Sequence, residues 1–378
     1  MTTETLETGL LERLWRPRFP SPEMVDLAAA LLPVGDTERA ENGPWTLSEG
    51  PRWEIEVSPG TVQVRTRDWA KVDRAAERAY ERRRKGADAI AAWQESGEPK
   101  SGRVTIAGFS RKSRNRMCKR LHQLDYSPLF ADPTRMPAMV TLTYPGDWLI
   151  VAPTGRAVKR HLDKFRKRYI RAWGEDLPAV WKLEFQRRGA PHFHLLMVPP
   201  HGQTKAGEPF RQWLSRVWAE IVDHPDPVER MKHERAGTGI DYAEGLRAQD
   251  PRRLAVYFSK HGLQASKEYQ HDVPEAWRQL GSGPGRFWGY WGLAPVTAAA
   301  HVNPEVGIAA GRVLRRFSRS KQMFQTRPVQ RIDRKTGRVY YRKSRFRVAR
   351  LANGRGWLSV NDGPAFASQL SRYLSTVA

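Results

Sequence analysis

At 378 residues, with 40% hydrophobic residues and fourteen tryptophans, the chain can bury a sizeable core, which excludes a disordered basic tail. Sixty-four Lys and Arg against forty Asp and Glu give a formal net charge of +24, which favours a polyanion such as nucleic acid as the partner. The single cysteine, Cys118, excludes an internal disulfide framework and any one-chain zinc site that needs two thiolates.

The N-terminal segment MTTETLETGLLERLW lacks the charged and apolar regions of a signal peptide. No apolar run approaches the roughly 20 residues that a membrane span needs. We therefore expect a cytoplasmic bacterial protein that makes no membrane contact.

The first hundred residues predict a short helix at 23–32, a hairpin of WEIEV and TVQVRTR around Ser58-Pro59-Gly60, and a basic helix at 68–94. The polar segment ESGEPKSG then indicates a linker. Next, Ser110 is a candidate N-cap for a helix with the apolar stripe Met117, Leu121 and Leu124. The rest of that helix is crowded with basic residues, which suit either a solvated face or phosphate contacts.

The middle of the chain predicts strands at 139–144, 180–185 and 192–198, interleaved with helices at 156–173 and 210–222. This alternation indicates an α+β fold with an antiparallel or mixed sheet. A further helix is predicted from Asp250 as N-cap and Pro251 at the first position to Gly262 just past its end. A basic hairpin is predicted in RIDRKTGRVYYRKSRFRV, followed by a polar segment at GWLSVNDGPAF.

The stretch WKLEFQRRGAPHFHLLMV carries a candidate metal site. His192 and His194 lie two apart on a strand, so both imidazoles project from one face. Glu184 joins them if the strands form a hairpin with an odd-length loop, for which Gly189 can supply a positive φ. Two imidazoles and a carboxylate with open positions suit Mg²⁺ or Mn²⁺. The alternative is a pair of histidines hydrogen-bonded within a packed sheet.

Tyr257 and Lys260 form a Y-x-x-K motif on the capped helix, three residues apart and therefore on one face. A phenol with a pKa near 10 is a poor nucleophile at neutral pH unless a cation stabilises the developing charge. Lys260 and the metal ion are candidates for that task. A half-buried aromatic packed into the core is the alternative for Tyr257.

The strand motif MVTLTYP, the PHFHLLM motif with Glu184 upstream, and the later Y-x-x-K follow the order seen in HUH endonucleases. The chain resembles their rolling-circle replication initiators, and GFSRKSRNRM, HFHLLMVPP and GRFWGYWGL are similar to segments of actinobacterial plasmid initiators. The resemblance covers about residues 100–300. Conjugative relaxases place the tyrosine before the histidine motif, which favours an initiator here.

The resemblance implies an HUH nuclease domain at 101–295, built on a central antiparallel RRM/ferredoxin-like sheet flanked by helices. Residues 1–100 would form an N-terminal accessory region and residues 296–378 a basic C-terminal region. Glu184, His192 and His194 would hold the metal ion, Tyr257 would attack the DNA, and Lys260 would assist at the phosphate. Initiators with two tyrosines carry the second one turn on, where this chain has His261, so a single tyrosine is expected, with Tyr269 in reserve.

The implied reaction is a nick that leaves a 5′-phosphotyrosine and a free 3′-OH, with a single-stranded or hairpin plasmid origin as substrate. Host helicase and polymerase are expected partners, and no nucleotide cofactor is expected, since the chain has no Walker loop. Trp288, Tyr290 and Trp291 are candidates for stacking on bases, with core packing as the alternative. The candidate DNA-contacting residues are Arg111, Lys112, Arg114, Arg116, Lys159, Arg160, Lys164, Arg187 and Arg188.

Three other functions are consistent with parts of the sequence. A DNA-binding plasmid regulator would use its histidines structurally and would cleave no strand. A relaxase or transposase of the same HUH class would share the metal site. A small-molecule hydrolase with an H-x-H site would need further ligands, and the high positive charge argues against it.

Overall fold

The structure is a computed structural model that describes residues 19–33, 52–67, 69–96, 106–248, 250–259, 269–278, 282–320, 324–333, 335–347 and 357–376. The ten helices in these residues are α1 (Pro22–Ala30), α2 (Trp69–Ser96), α3 (Arg111–Gln123), α4 (Gly155–Trp173), α5 (Phe210–Val222), α6 (Pro227–Ala236), α7 (Tyr242–Leu246), α8 (Pro251–Ser259), α9 (Pro304–Ser320) and α10 (Gly363–Leu374). The strands are β1 (Arg52–Ser58), β2 (Thr61–Arg67), β3 (Ala138–Leu142), β4 (Ala179–Phe185), β5 (Pro191–Met197), β6 (Thr238–Asp241), β7 (Trp288–Trp291), β8 (Ala298–Val302), β9 (Phe324–Ile332), β10 (Val339–Arg347) and β11 (Leu358–Ser359). None of the helices in these ranges is long and apolar enough to span a bilayer.

The central sheet has five strands in the order β6-β3-β5-β4-β7, and every neighbouring pair is antiparallel. Helix α4 covers one face, where Lys159 lies over the rings of Trp181 and Phe193. Helix α8 covers the opposite face, where Lys182 donates to the carbonyl of Phe258. The predicted α+β fold with a central antiparallel sheet flanked by helices is confirmed.

A second sheet, in the order β11-β2-β1-β8, is built from both ends of the described chain. The predicted hairpin around residues 58–60 is confirmed as β1 and β2. Its apolar side chains share a core with α1, α9 and α10, in which Ile55 and Val62 meet Val302 and Leu370. The expected accessory regions at 1–100 and 296–378 therefore contribute strands to one sheet.

Local signals mark several helix starts correctly. The Ser110 hydroxyl accepts from the Ser113 amide at 3.2 Å, and the Asp250 carboxylate accepts from the Arg253 amide at 2.7 Å, so both predicted N-caps are confirmed. The predicted end of α8 at Gly262 lies outside the described residues. The polar tail segment contains an unpredicted helix, α10, which is capped by Asp362 through the Ala365 amide.

The predicted basic hairpin is confirmed as β9 and β10, a separate two-stranded sheet. Its turn has Gly337 at φ +69°, a conformation that glycine adopts without steric cost. The hairpin is largely exposed, and Tyr340 and Tyr341 present their rings to solvent.

His122 at the end of α3 joins the two cores. Its Nδ1 lies 2.7 Å from the carbonyl oxygen of Cys118, and its ring meets Trp357 edge-on. The Gly60 amide in the β1–β2 turn donates to the His122 carbonyl at 2.7 Å. A Cβ atom at Gly60 would lie only 2.7 Å from Pro251, so this approach requires a glycine.

Complete burial lowers the pKa of His122 to about 4, mainly because the charged imidazolium would lose its hydration. The folded pKa therefore lies below the unfolded value of about 6.5, and the stabilisation is full above pH 6.5 and lost as the pH falls toward 4. We expect the free energy of unfolding to fall by roughly 3 kcal/mol from this residue over that window. Urea denaturation of wild type and His122→Gln tests this, and a pH-independent difference between the two proteins would contradict it.

Candidate active site

The β4–β5 hairpin places the three sequence-predicted ligands on one face. Glu184 lies directly opposite His192, and Lys182 lies opposite His194. The loop consists of residues 186–190, and Gly189 has φ +81°. The Gly189 amide donates to Gln186, and the Gln186 amide donates to Ala190. The predicted register, the odd-length loop and the positive φ at Gly189 are all confirmed.

One carboxylate oxygen of Glu184 faces the histidines. Its Oε2 lies 3.4 Å from His194 Nε2, while His194 Nδ1 lies 3.3 Å from the Thr141 hydroxyl on β3. The rings of His192 and His194 meet edge-on with centroids 4.4 Å apart. Glu184 is 1% exposed, whereas both histidines are half-buried, so the imidazoles are accessible beside a buried carboxylate.

Lys182 occupies the other oxygen of Glu184. Its Nζ donates to Glu184 Oε1 at 2.5 Å and to the carbonyl oxygen of Phe258 on α8 at 2.7 Å. It also lies 3.4 Å from His271 Nε2. Lys182 is 1% exposed, so this buried ammonium connects the carboxylate directly to the helix that carries Tyr257.

The donor chemistry at this site fits a divalent cation. Two imidazoles and one carboxylate are the donor types that suit such an ion, and Glu184 Oε2 with His194 Nε2 could reach the same ion with a small adjustment. Across the described ranges, however, no group of three or more His, Cys, Asp or Glu side chains already has the geometry of a metal cluster. A bound ion would therefore have to draw His192 toward the Glu184–His194 pair.

Tyr257 lies on α8, half-buried against the main core, with its ring edge-on to Phe258. Its pKa is raised well above the usual value, first by burial and then by the negative charges of Glu244, Glu184 and Asp241. The phenol is therefore close enough to Glu184 to be affected by its charge. At neutral pH it is protonated, and it would need a nearby cation to act as a nucleophile.

The other residues predicted for the chemistry are placed unequally. Lys260 and His261 lie outside the described residues. Tyr269 lies in a short helical turn, where the Arg187 guanidinium stands 5.8 Å from its ring centre.

The basic residues of α3 lie on the same side of the sheet as α8, because α3 packs against α8. Arg111, Lys112 and Arg116 are exposed. Arg114 is half-buried, with Nη1 3.5 Å from His271 Nδ1. A chain of polar contacts thus runs from Arg114 through His271 to Lys182.

The basic residues predicted on α4 lie on the opposite side of the sheet from the histidines. The Lys159 ammonium is 4.4 Å from the centre of the Trp181 ring, and burial lowers its pKa to about 7. Arg160 and Lys164 are exposed on the same helix. Arg188 donates to the carbonyl oxygens of residues 144–146 and so holds that loop. In this arrangement the Lys159 ammonium is not presented to a phosphate.

Sequence reasoning missed several residues that complete the site. Lys182 and Thr141 flank the predicted ligands, His271 touches Lys182, and Asp241 and Glu244 raise the pKa of Tyr257. Only Lys182 and Thr141 had a sequence signal, because each lies on a strand in step with the predicted ligands. The others approach from distant segments.

Comparison with known families supports a replication-associated role. A family model described as a replication-associated protein of the ORF2 type matches residues 137–244. The matched segment runs from the start of β3 into α7, so it contains Glu184, His192 and His194 and ends before Tyr257. The comparisons with curated proteins and with solved structures gave no match.

Proposed function

We propose that this protein initiates rolling-circle replication of a plasmid by nicking and rejoining one DNA strand through Tyr257, with a divalent metal ion. One observation carries the proposal. The cross-strand pairing of Glu184 with His192 gathers a carboxylate and two imidazoles within the segment that matches a replication-associated family. Helix α8, with its tyrosine, covers that same face of the sheet.

Glu184, His192 and His194 are the residues that would hold Mg²⁺ or Mn²⁺. The ion would supply positive charge where the scissile phosphate becomes more negative in the transition state. Lys182 neutralises the buried side of Glu184 and fixes the carboxylate between β4 and α8. Thr141 contacts His194 Nδ1 and orients that ring.

Tyr257 is the proposed nucleophile. Its phenolic oxygen forms a bond to phosphorus while the bond to the 3′-oxygen breaks, which leaves a 5′-phosphotyrosine and a 3′-OH. The phenol loses its proton and the leaving oxygen gains one, so the exchange is neutral overall. Because the covalent link replaces one phosphate ester by another, a later 3′-OH can reverse the attack without ATP. Lys260 is proposed to assist at the phosphate, and host helicase and polymerase to extend the freed 3′-end.

The test is a denaturing gel with a labelled single-stranded origin oligonucleotide and Mn²⁺ or Mg²⁺. We expect wild type to form a covalent protein–DNA adduct that disappears with a chelator and in Tyr257→Phe. Tyr269→Phe is the matched control and should keep the adduct. If Tyr257→Phe still forms it, Tyr257 is not the nucleophile.

A non-catalytic DNA-binding regulator is the second candidate function. It is favoured by Lys182, whose ammonium already balances the charge of Glu184 without a metal ion. This protein would bind origin DNA and form no adduct with any divalent metal, so the same gel distinguishes the two candidates.

A further inference from the structure

A large cleft separates the first half of α3 from β7, the last strand of the central sheet. It has a volume of about 980 Å³ and includes Arg116, Arg120, Arg286, Trp288, Tyr290 and Trp291 in its lining. We call it the α3–β7 cleft. The proposed chemistry of Tyr257 and the metal ligands uses none of these residues.

The floor of the cleft is aromatic. Trp288, Tyr290 and Trp291 are half-buried on consecutive or alternate positions of β7, and the rings of Trp288 and Tyr290 are 6.5 Å apart with 32° between their planes. Gly289 lies between them, and a Cβ atom there would come within 2.6 Å of the Trp181 ring, which also lines the cleft. Flat ring surfaces at an open sheet edge suit stacking by planar ligands.

The walls of the cleft are basic. Arg116 and Arg286 are exposed and Arg120 is half-buried, and within the described residues none of the three makes an ion pair or a side-chain hydrogen bond. No acidic residue of the described ranges lines this cleft. Behind the aromatic floor, Lys159 lies over Trp181 and Arg166 over Trp291, which adds positive charge from the other side. A ligand here needs both negative charge and flat rings.

The cleft continues into a second cavity of about 670 Å³, which shares Arg116, Arg120 and Trp288 with it and adds Lys119 and Arg65. Glu56 also lines this cavity, where it is paired with Arg65 at 2.6 Å. The basic and aromatic surface is therefore long enough for several linked nucleotides.

The cleft and the candidate active site share one face of the central sheet. Trp288 lies opposite Lys182, which lies opposite His194, so the three side chains form one cross-strand row. Two strand spacings separate Trp288 from His194, or about 10 Å. Lys182, covered by α8 and His271, stands between them.

We propose that the α3–β7 cleft binds unpaired DNA, with bases stacked on Trp288 and Tyr290 and phosphates held by Arg116 and Arg120. The choice of DNA rests on the proposed function. Single strands offer exposed base faces and a negative backbone together, whereas in a duplex the base faces are stacked on one another. An acidic peptide would match the arginines and leave the aromatic floor without a flat partner.

Binding is measured by fluorescence anisotropy with a labelled mixed-sequence single-stranded DNA, in a chelator and on the Tyr257→Phe background, so that no cleavage is involved. Trp288→Ala is expected to weaken binding about 5-fold to about 150-fold, the cost of losing one stacked base. The double variant Arg116→Gln/Arg120→Gln should flatten the salt dependence of log Kd by about 1.4, because two phosphate contacts are lost. This second variant changes only lining arginines and covers the case in which Trp288→Ala does not fold.

Matched controls lie away from the cleft. Tyr341→Ala removes an exposed ring from β10, and Arg171→Gln removes an exposed charge from α4; both should bind single strands as wild type does. Unlabelled duplex of the same sequence should compete weakly. Wild-type affinity in the cleft variants, equal competition by duplex, or tighter binding of RNA of the same sequence would each overturn the proposal. A protein that binds through the cleft and forms no adduct would refute the proposed nicking alone.

Discussion

Lys182→Met is expected to lower the free energy of unfolding by about 3–5 kcal/mol, because it leaves the buried Glu184 carboxylate without its cation. The same change removes the hydrogen bond to the Phe258 carbonyl, which holds α8 against β4. We therefore also expect less of the Tyr257 adduct. Urea denaturation and the adduct gel measure the two effects.

A double-mutant cycle separates this ion pair from general damage to the core. Lys182→Met/Glu184→Gln should be destabilised by less than the sum of the two single variants, since neither buried charge then remains. Added Mn²⁺ should raise the Tm of Lys182→Met more than that of wild type, because the ion replaces the missing charge beside Glu184. Lys205→Met, at an exposed lysine, is the control and should stay within about 0.5 kcal/mol of wild type. Additive losses and equal Mn²⁺ shifts would argue against the proposed role of Lys182.

The double variant His192→Gln/His194→Gln is expected to reduce the rate of adduct formation on the order of 100-fold or more. Loss of residues that merely orient metal ligands already costs about 10-fold to 100-fold, and here the proposed ligands themselves are removed. Titration with Mn²⁺, followed by calorimetry, should show loss of the high-affinity site. The affinity for single-stranded DNA in a chelator should stay at the wild-type value, because the α3–β7 cleft is unchanged.

His201→Gln provides the matched control for this prediction. His201 is exposed, lies outside the β4–β5 hairpin, and should keep both metal binding and adduct formation. Adduct formation at the wild-type rate in the double histidine variant would show that the H-x-H pair is structural, as in the regulator alternative.

The local features of the candidate site follow from the sequence. Alternation along a strand puts His192 and His194 on one face, and the loop length with Gly189 at positive φ fixes Glu184 opposite His192. Ser110 and Asp250 set the starts of α3 and α8 because their side chains bond to amides within the next turn. All these constraints act between residues close in the chain.

Other features depend on contacts between distant segments, which a single sequence does not encode in a visible pattern. The second sheet joins β1 and β2 to β8 and β11, and no local signal specifies that pairing. The buried position of Lys182 appears only when α8 covers β4, and the opposite placement of Lys159 only when α4 covers the other face. The sequence alone thus determined the strands, the helix caps and the ligand register, since these depend on neighbours in the chain. Tertiary packing alone decided which charges are buried and which basic and aromatic residues share a cleft, because burial and proximity are set by the segments that meet in space.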